Sequence, residues 1–189
     1  LKTNSDYSFA DAVNNLQRLD LSYWRGLVSN GTPNLEVITA PTTPAAKQLP
    51  AGHIKQVLAF ARNHYDWSVI DLGRNITAGT LSILDVIDET YLVTTLDVPA
   101  LHQVKQIINV LLDAGYSRSQ LRLVLNRTTK RGDITLDELE GMLGLPVFAT
   151  VANDFGAFFE AFSEGRLVDS SSAPGEDFTR LAGKIAGVT

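Results

Sequence analysis

The sequence predicts an α/β fold, a doubly wound and mostly parallel sheet flanked by helices. Three observations predict it. Short β-branched apolar runs alternate with longer segments of helical period. Most of these runs are continuously apolar rather than alternating, the pattern of strands covered on both faces. The segments between them are long enough to hold crossover helices, which makes right-handed βαβ units.

In chain order, two short helices are expected near 8–18 and 21–29, followed by a strand at "LEVIT" (35–39). "APTTPAAKQLPAG" (40–52) carries three prolines and reads as a surface loop, too short to divide domains. "HIKQVLAFARNHY" is helical by its apolar spacing. "WSVIDL" (67–72) reads as a strand, with Trp67, Val69, Ile70 and Leu72 expected at the centre of the core. "TYLVTTL" (90–96) is the next strand.

"VPALHQVKQIINVLLDAGY" then places Val98, Leu101, Val104, Ile108 and Leu111 on one helical face. Asp97 is its expected N-cap, Pro99 fits the first turn, and Gly115 closes it. "LRLVLN" (121–126) and "PVFATV" (146–151) are strands on either side of "TLDELEGMLG", where Thr135 and Glu138 form a capping-box pair. "DFGAFFEAFSEG" is a helix after the last strand. "DSSSAPGE" (169–176) is a loop, and "GEDFTRLAGKIAG" is the final helix. No internal repeat is visible, and residues 1–189 read as a single domain.

The bulk numbers exclude several classes. The chain is 44% hydrophobic and 20% charged over 189 residues, the composition of a globular protein. A net charge of −5 gives no broad basic face for sequence-blind nucleic-acid binding. With no cysteine, disulfides, thiolate nucleophiles and Cys-ligated zinc are excluded. This fits a cytoplasmic location. No apolar run approaches the roughly 20 residues that span a bilayer. The first residue is Leu, which reads as a cut inside a longer gene product.

In open parallel sheets, ligands bind beyond the carboxyl ends of the strands. Here those ends carry Asp71-Leu72-Gly73, then Thr94, Thr95 and Asp97, then Asn126-Arg127, then Ala152-Asn153-Asp154. A carboxylate after an apolar strand, followed by Gly, has the form of a Walker B strand, in which Asp orders Mg2+ beside nucleotide phosphates. An Asp at a strand end is also an ordinary turn or cap residue. No G-x-x-x-x-G-K-[ST] loop accompanies it. Of Lys2, Lys47, Lys55, Lys105, Lys130 and Lys184, only Lys184 follows a Gly, and Phe178 stands where the earlier Gly should be.

The order of segments resembles the P-loop ATPases of the MinD/ParA type after their second strand, with the CpaE/TadZ-like proteins of pilus assembly as the nearest branch. "YDWSVIDLGRNITAGTLSILDVIDETYLVTTLDVPALHQVKQIINVLLDAG" looks like their Walker B strand, the helix after it and the next βα unit. "LRLVLNRTTKRGDITLDELEGMLGLPVFATVANDFGAFFEAFSEGRLV" looks like their "VLNR" strand, a "KRG" loop, a short helix and the final strand and loop. The similarity runs from about residue 51 to 168, and "FADAVNNLQRLDLSYWRGLVSNGTPNLEVITAP" is similar to the region before the third strand.

The resemblance implies ATP or ADP with Mg2+ as ligands. Asp71 would be the Walker B aspartate, holding Mg2+ through water, and Gly73 the switch II glycine. Asn126 would hydrogen-bond the adenine edge with Arg127 beside it, and Ala152, Asn153 and Asp154 would border the base. It further implies a homodimer that recruits pilus or secretion assembly proteins to a cell pole. The P-loop, its signature lysine and the switch I aspartate would lie before Leu1. About one βα unit or more, roughly 30 residues, is therefore expected upstream, with a receiver-like domain in some members. Whether ATP is hydrolysed is left open: a non-catalytic scaffold on the same fold is the alternative, and an α/β oxidoreductase or flavoprotein is a third reading.

Other features have plainer readings. Asn126 by itself is a side chain tying down its own turn, and Arg127 a surface residue. His53, His64 and His102 are far apart, each on a helix with no second ligand at the right offset, so no zinc site is expected. No G-x-S-x-G elbow is present. Arg131-Gly132-Asp133 is a loop coincidence. Phe155, Phe158, Phe159 and Phe162 fall at three- and four-residue spacing and are expected in the core, with a dimer surface as their other use. The C-terminal helix has two basic and two acidic residues and few large apolar ones, so no direct membrane anchor is expected.

Overall fold

The computed structural model describes residues 6–41, 49–74, 76–129 and 134–188. The chain divides into two compact units, Leu1–Ile87 and Asp88–Thr189. The "KRG" loop and the Arg131-Gly132-Asp133 tripeptide lie outside the described residues, as does most of the proline-rich loop.

The first unit is built on three helices, α1 (Phe9–Asn14), α2 (Leu21–Leu27) and α3 (Ala51–Arg62). Ala12 and Val13, Trp24 and Leu27, and Ile54, Val57 and Ala61 form its core. Each set repeats at one, three or four residues, so each helix buries a single stripe. A 3-10 turn at Leu16–Arg18 follows α1. Asp20 caps α2 by accepting from the Tyr23 N–H at 2.8 Å. The "LEVIT" segment does form a strand, β2 (Leu35–Val37), but it pairs antiparallel with β1 (Ser29–Thr32). Pro33-Asn34 makes the connection, with Asn34 at φ +59°, and a turn that short can join only antiparallel neighbours. Thr39 adds one parallel bridge to Ser8.

The segment 67–72 departs from expectation. It makes no ladder hydrogen bonds among the described residues. Trp67 is exposed and Val69 is 97% exposed, while Ile70 and Leu72 are half-buried. A continuous apolar run shows what a strand is able to bury. Whether it is buried depends on neighbours at both edges, and no described residue supplies one. The segment is tied at its start, where the Tyr65 hydroxyl accepts from Trp24 Nε1 at 2.6 Å and donates to Glu36. Burial, followed by the Glu36 contact, raises the Tyr65 pKa. Helix α4 (Ala78–Leu84) follows, capped by Thr77.

The second unit holds the parallel sheet, in the order β3 (Thr90–Thr94), β4 (Leu121–Thr128), β5 (Val147–Ala152). Its core is β4, with Leu121, Leu123, Val124 and Leu125 all buried. Helix α5 (Val98–Asp113) crosses from β3 to β4 and buries Leu101, Val104, Ile108 and Leu111; Val98, in its first turn, is exposed. Asp97 caps it through the Ala100 N–H, and Pro99 occupies the first turn. Helix α6 (Leu136–Leu143) crosses from β4 to β5 with Leu139 and Leu143 buried. After β5 come α7 (Phe155–Glu164) and α8 (Ala173–Ala186). Helix α8 starts two residues earlier than its sequence suggests, because Ser172 caps it and Pro174 sits in its first turn.

The aromatic stripe on α7 corrects another expectation. Phe158 is partly buried and meets Phe178 of α8 edge-on at 6.2 Å. Phe155, Phe159 and Phe162 are exposed. The α7 residue that is fully buried is Ala161, small enough to sit closely against its neighbours.

Two stability outcomes follow from this packing. A Cβ on Gly175 would collide with the Asp169 carbonyl and approach Ser170 Cα to 2.8 Å, both of them backbone. Gly175→Ala should therefore lower unfolding free energy by about 1–3 kcal/mol in urea titration. The second concerns Glu138, which accepts from the Thr135 N–H at 2.9 Å and from its hydroxyl at 2.8 Å. These bonds, the backbone one first, hold its pKa below the ordinary carboxylate value. A depressed folded pKa means that the contribution is present above the unfolded value and lost as pH falls through the folded one. Glu138→Gln should flatten the acid limb of Tm against pH below about pH 5 and leave neutral pH little changed, since Gln also completes a capping box.

Candidate functional site

The residues singled out by sequence fall into two groups, one in each unit. In the first unit, Asp71 lies at the end of the unpaired segment and is exposed. Its Oδ1 accepts from the Gly73 N–H at 2.9 Å, closing an Asx turn. Gly73 has φ +67°, a conformation in which side chains other than Gly are strained. A Cβ there would meet nothing within 4 Å, so the glycine is required by the backbone angle and not by a neighbour. The turn engages one carboxylate oxygen.

The second group sits where β4 ends. From Leu125 to Thr128 the strand advances three residues while β5, from Thr150 to Ala152, advances two. Asn126 and Arg127 therefore carry a β-bulge. Arg127 lies at φ +56°, in the left-handed region, which a long side chain rarely adopts. The Asn126 side chain answers this locally: its Oδ1 accepts from the Arg127 N–H at 2.9 Å. The plainer reading of Asn126, a side chain tying down its own turn, is thus what the geometry shows. It still leaves the amide NH2 and one lone pair on Oδ1, the donor and acceptor that an adenine edge needs. Strain of this kind, of order 1–3 kcal/mol, tends to persist where a site requires it.

The bulge is locked to the loop after β5. The Asn153 N–H donates to the Thr128 carbonyl at 2.9 Å, and the Thr128 hydroxyl donates to the Val151 carbonyl at 3.2 Å. Asp154 caps α7, its Oδ1 accepting from the Ala157 N–H at 3.0 Å. Asn126, Arg127, Ala152, Asn153 and Asp154 therefore lie together at the carboxyl ends of β4 and β5.

One residue of this cluster escapes a sequence reading. Asp177 of α8 is buried, accepts from the Ala152 N–H at 2.7 Å through Oδ2, and pairs with Arg180 through Oδ1. An acidic residue in the first turns of a helix reads as surface charge, and only a fold that brings α8 across the end of β5 shows otherwise. Among the described residues no group of three His, Asp or Glu side chains could by itself hold a metal ion. No described helix is long and apolar enough to cross a membrane.

No family model matches the chain. Its sequence is similar to the septum site-determining protein MinD of Thermotoga maritima, 24% identical over 161 residues. That match covers 82% of this chain and 59% of the relative, so the chain spans little more than half of that protein's length. Among solved structures it resembles a ParA family ATPase from Chlorobium tepidum, with TM-score 0.87 and 24% identity over 95% of this chain and 78% of that one. It also resembles MinD in the MinC:MinD cell division complex of Aquifex aeolicus, with TM-score 0.81 and 14% identity over 100% of this chain and 76% of that one. The cell division ATPase MinD of Pyrococcus furiosus gives TM-score 0.70 and 18% identity, over 98% and 78%.

Asp177→Ala removes a buried carboxylate and with it the acceptor of the part-buried Ala152 N–H. It should cost about 2 kcal/mol in chemical denaturation. Amide exchange at Ala152 and Asn153 should accelerate well before that of β3, because the bond lost is local to the site.

Proposed function

We propose, for a chain that is homologous to MinD by sequence and carries the MinD/ParA-type P-loop ATPase fold, that it is the C-terminal major part of a single nucleotide-binding domain. The domain takes ATP or ADP with Mg2+. The observation that carries this reading is the locked, strained bulge at Asn126-Arg127 against the Ala152–Asp154 loop, at the strand ends where an open parallel sheet binds its ligand. Asn126 offers an amide edge to the purine, Arg127 stands beside it, and Ala152, Asn153 and Asp154 border the base. Asp71, exposed in the structure, holds the Mg2+ hydration shell. Gly73, already in a left-handed turn, lets the backbone approach the terminal phosphate. The bound metal would neutralise phosphate charge.

On this reading two copies close around nucleotide into a homodimer, favoured by contacts to the γ-phosphate and released when those are lost. The dimer recruits secretion or pilus assembly proteins and positions them at a cell pole from the cytoplasm. MinD in a complex with MinC is a precedent on this fold for a protein that assembles with a partner. A scaffold that binds nucleotide without turning it over would use the same residues, and phosphate release separates the two.

The test uses the full gene product and a fluorescent ATP analogue. Asn126→Ala should weaken binding about tenfold, the effect of one lost charge-free hydrogen-bond pair. Asp71→Ala should abolish the dependence of affinity on Mg2+. Wild-type affinity and Mg2+ dependence in both variants would overturn the assignment. Phosphate release at the buffer rate, with binding intact, selects the scaffold.

A further inference from the structure

Helix α8 holds the outer edge of β5 at two points. β5 is the last strand of the parallel sheet among the described residues, so its backbone groups that point away from β4 have no strand to meet. At the loop end, the Ala152 N–H donates to Asp177 Oδ2 at 2.7 Å. Four residues earlier, the Phe148 carbonyl accepts from Lys184 Nζ at 2.8 Å. Asp177 and Lys184 are seven residues apart on α8, two turns along one face, or about 10 Å. An anion meets the N–H and a cation meets the C=O, so both contacts are charge-assisted.

The two contacts differ in burial and in what they hold. Lys184 reaches its carbonyl from the surface, whereas Asp177 is only 8% exposed, with its other oxygen taken by Arg180. Burying a carboxylate is costly, and closing an edge does not require it, as Lys184 shows. The Ala152 N–H belongs to the peptide unit whose carbonyl, that of Val151, accepts from the Thr128 hydroxyl at 3.2 Å. That unit is therefore held at both ends. The next one is held by the Asn153 N–H on the Thr128 carbonyl at 2.9 Å. A loop exchanges a donor for an acceptor by turning over a peptide plane. Here that turn would set the Val151 carbonyl against the Asp177 carboxylate, whose oxygens, paired with Arg180, only accept. Asn126 is fixed in the same sense, its Oδ1 bonded to the Arg127 N–H.

We propose that Asp177 is a positioning residue for base choice: by fixing the sense of the Ala152 peptide, it makes the rim favour adenine over guanine. The inference rests on the nucleotide reading above. Adenine presents an amino donor beside a ring-nitrogen acceptor, and guanine presents a carbonyl acceptor beside a ring N–H donor, the reverse pattern. A rim that cannot invert leaves the groups of guanine facing like groups, desolvated and unpaired. Without the carboxylate the outer end of the peptide loses its fixed partner, and the reversed pattern is accepted.

The test uses the full gene product, with MgATP and MgGTP each competing against the fluorescent ATP analogue and tripolyphosphate as a base-free probe. The wild type should favour ATP over GTP by about tenfold or more. Asp177→Ala should bring that ratio to within about twofold, with tripolyphosphate affinity unchanged. Asp177→Asn should keep the preference, because its Oδ1 can still accept the Ala152 N–H while the exposed Arg180 turns to water. Lys184→Met removes the other edge contact and should leave the ratio as in the wild type, which separates base choice from a general loosening of the edge. Circular dichroism at the assay temperature establishes that each variant is folded. The inference fails if folded Asp177→Ala keeps the wild-type ratio, if tripolyphosphate affinity falls in parallel with ATP affinity, if Asp177→Asn loses the preference, or if Lys184→Met lowers it as far. It fails equally if the wild type binds ATP and GTP alike. All of these leave ATP binding itself standing, whereas a wild type that does not bind ATP removes the nucleotide reading and this inference together.

Discussion

How β4 ends governs the chemistry of the second unit. A strand buried along its length must deliver its last residues to the sheet's edge without leaving backbone groups unpaired in the core. Here one extra residue is accommodated at Asn126-Arg127, and the strain this creates is concentrated in Arg127. Three hydrogen bonds hold the arrangement: Asn126 to its own turn, Asn153 to Thr128, and Asp177 to Ala152. They come from three elements distant in sequence. Of the three, the Asp177 bond is the one that water cannot simply replace, since its carboxylate is buried and the Ala152 N–H it accepts from is part-buried. The consequence is a pre-set loop, and pre-organisation of this kind is what lets a few polar atoms discriminate a ligand.

Much of the second unit is legible in the sequence, and the reasons are local. The caps at Asp97 and Thr135 depend on residues three positions apart, and both form in the structure. The three continuous apolar runs of this unit become strands of one parallel sheet because helices of the right length connect them. The cluster of Asn126 with Ala152–Asp154 is legible because the end of a parallel strand is the same end in every neighbour. Asp177 is not, because its partner is 25 residues away and nothing in its neighbourhood distinguishes it from surface charge.

The misreadings share one physical cause. Apolarity reports a capacity for burial and says nothing of what does the burying. Composition and spacing alone place Val69 and the α7 phenylalanines in the core, yet Val69, Phe155, Phe159 and Phe162 are in water. The pattern at "LEVIT" misleads in a related way, since Leu35–Val37 is a real strand whose direction of pairing is set by a two-residue turn. Periodicity locates an element and its face. The partner that meets that face is a tertiary fact.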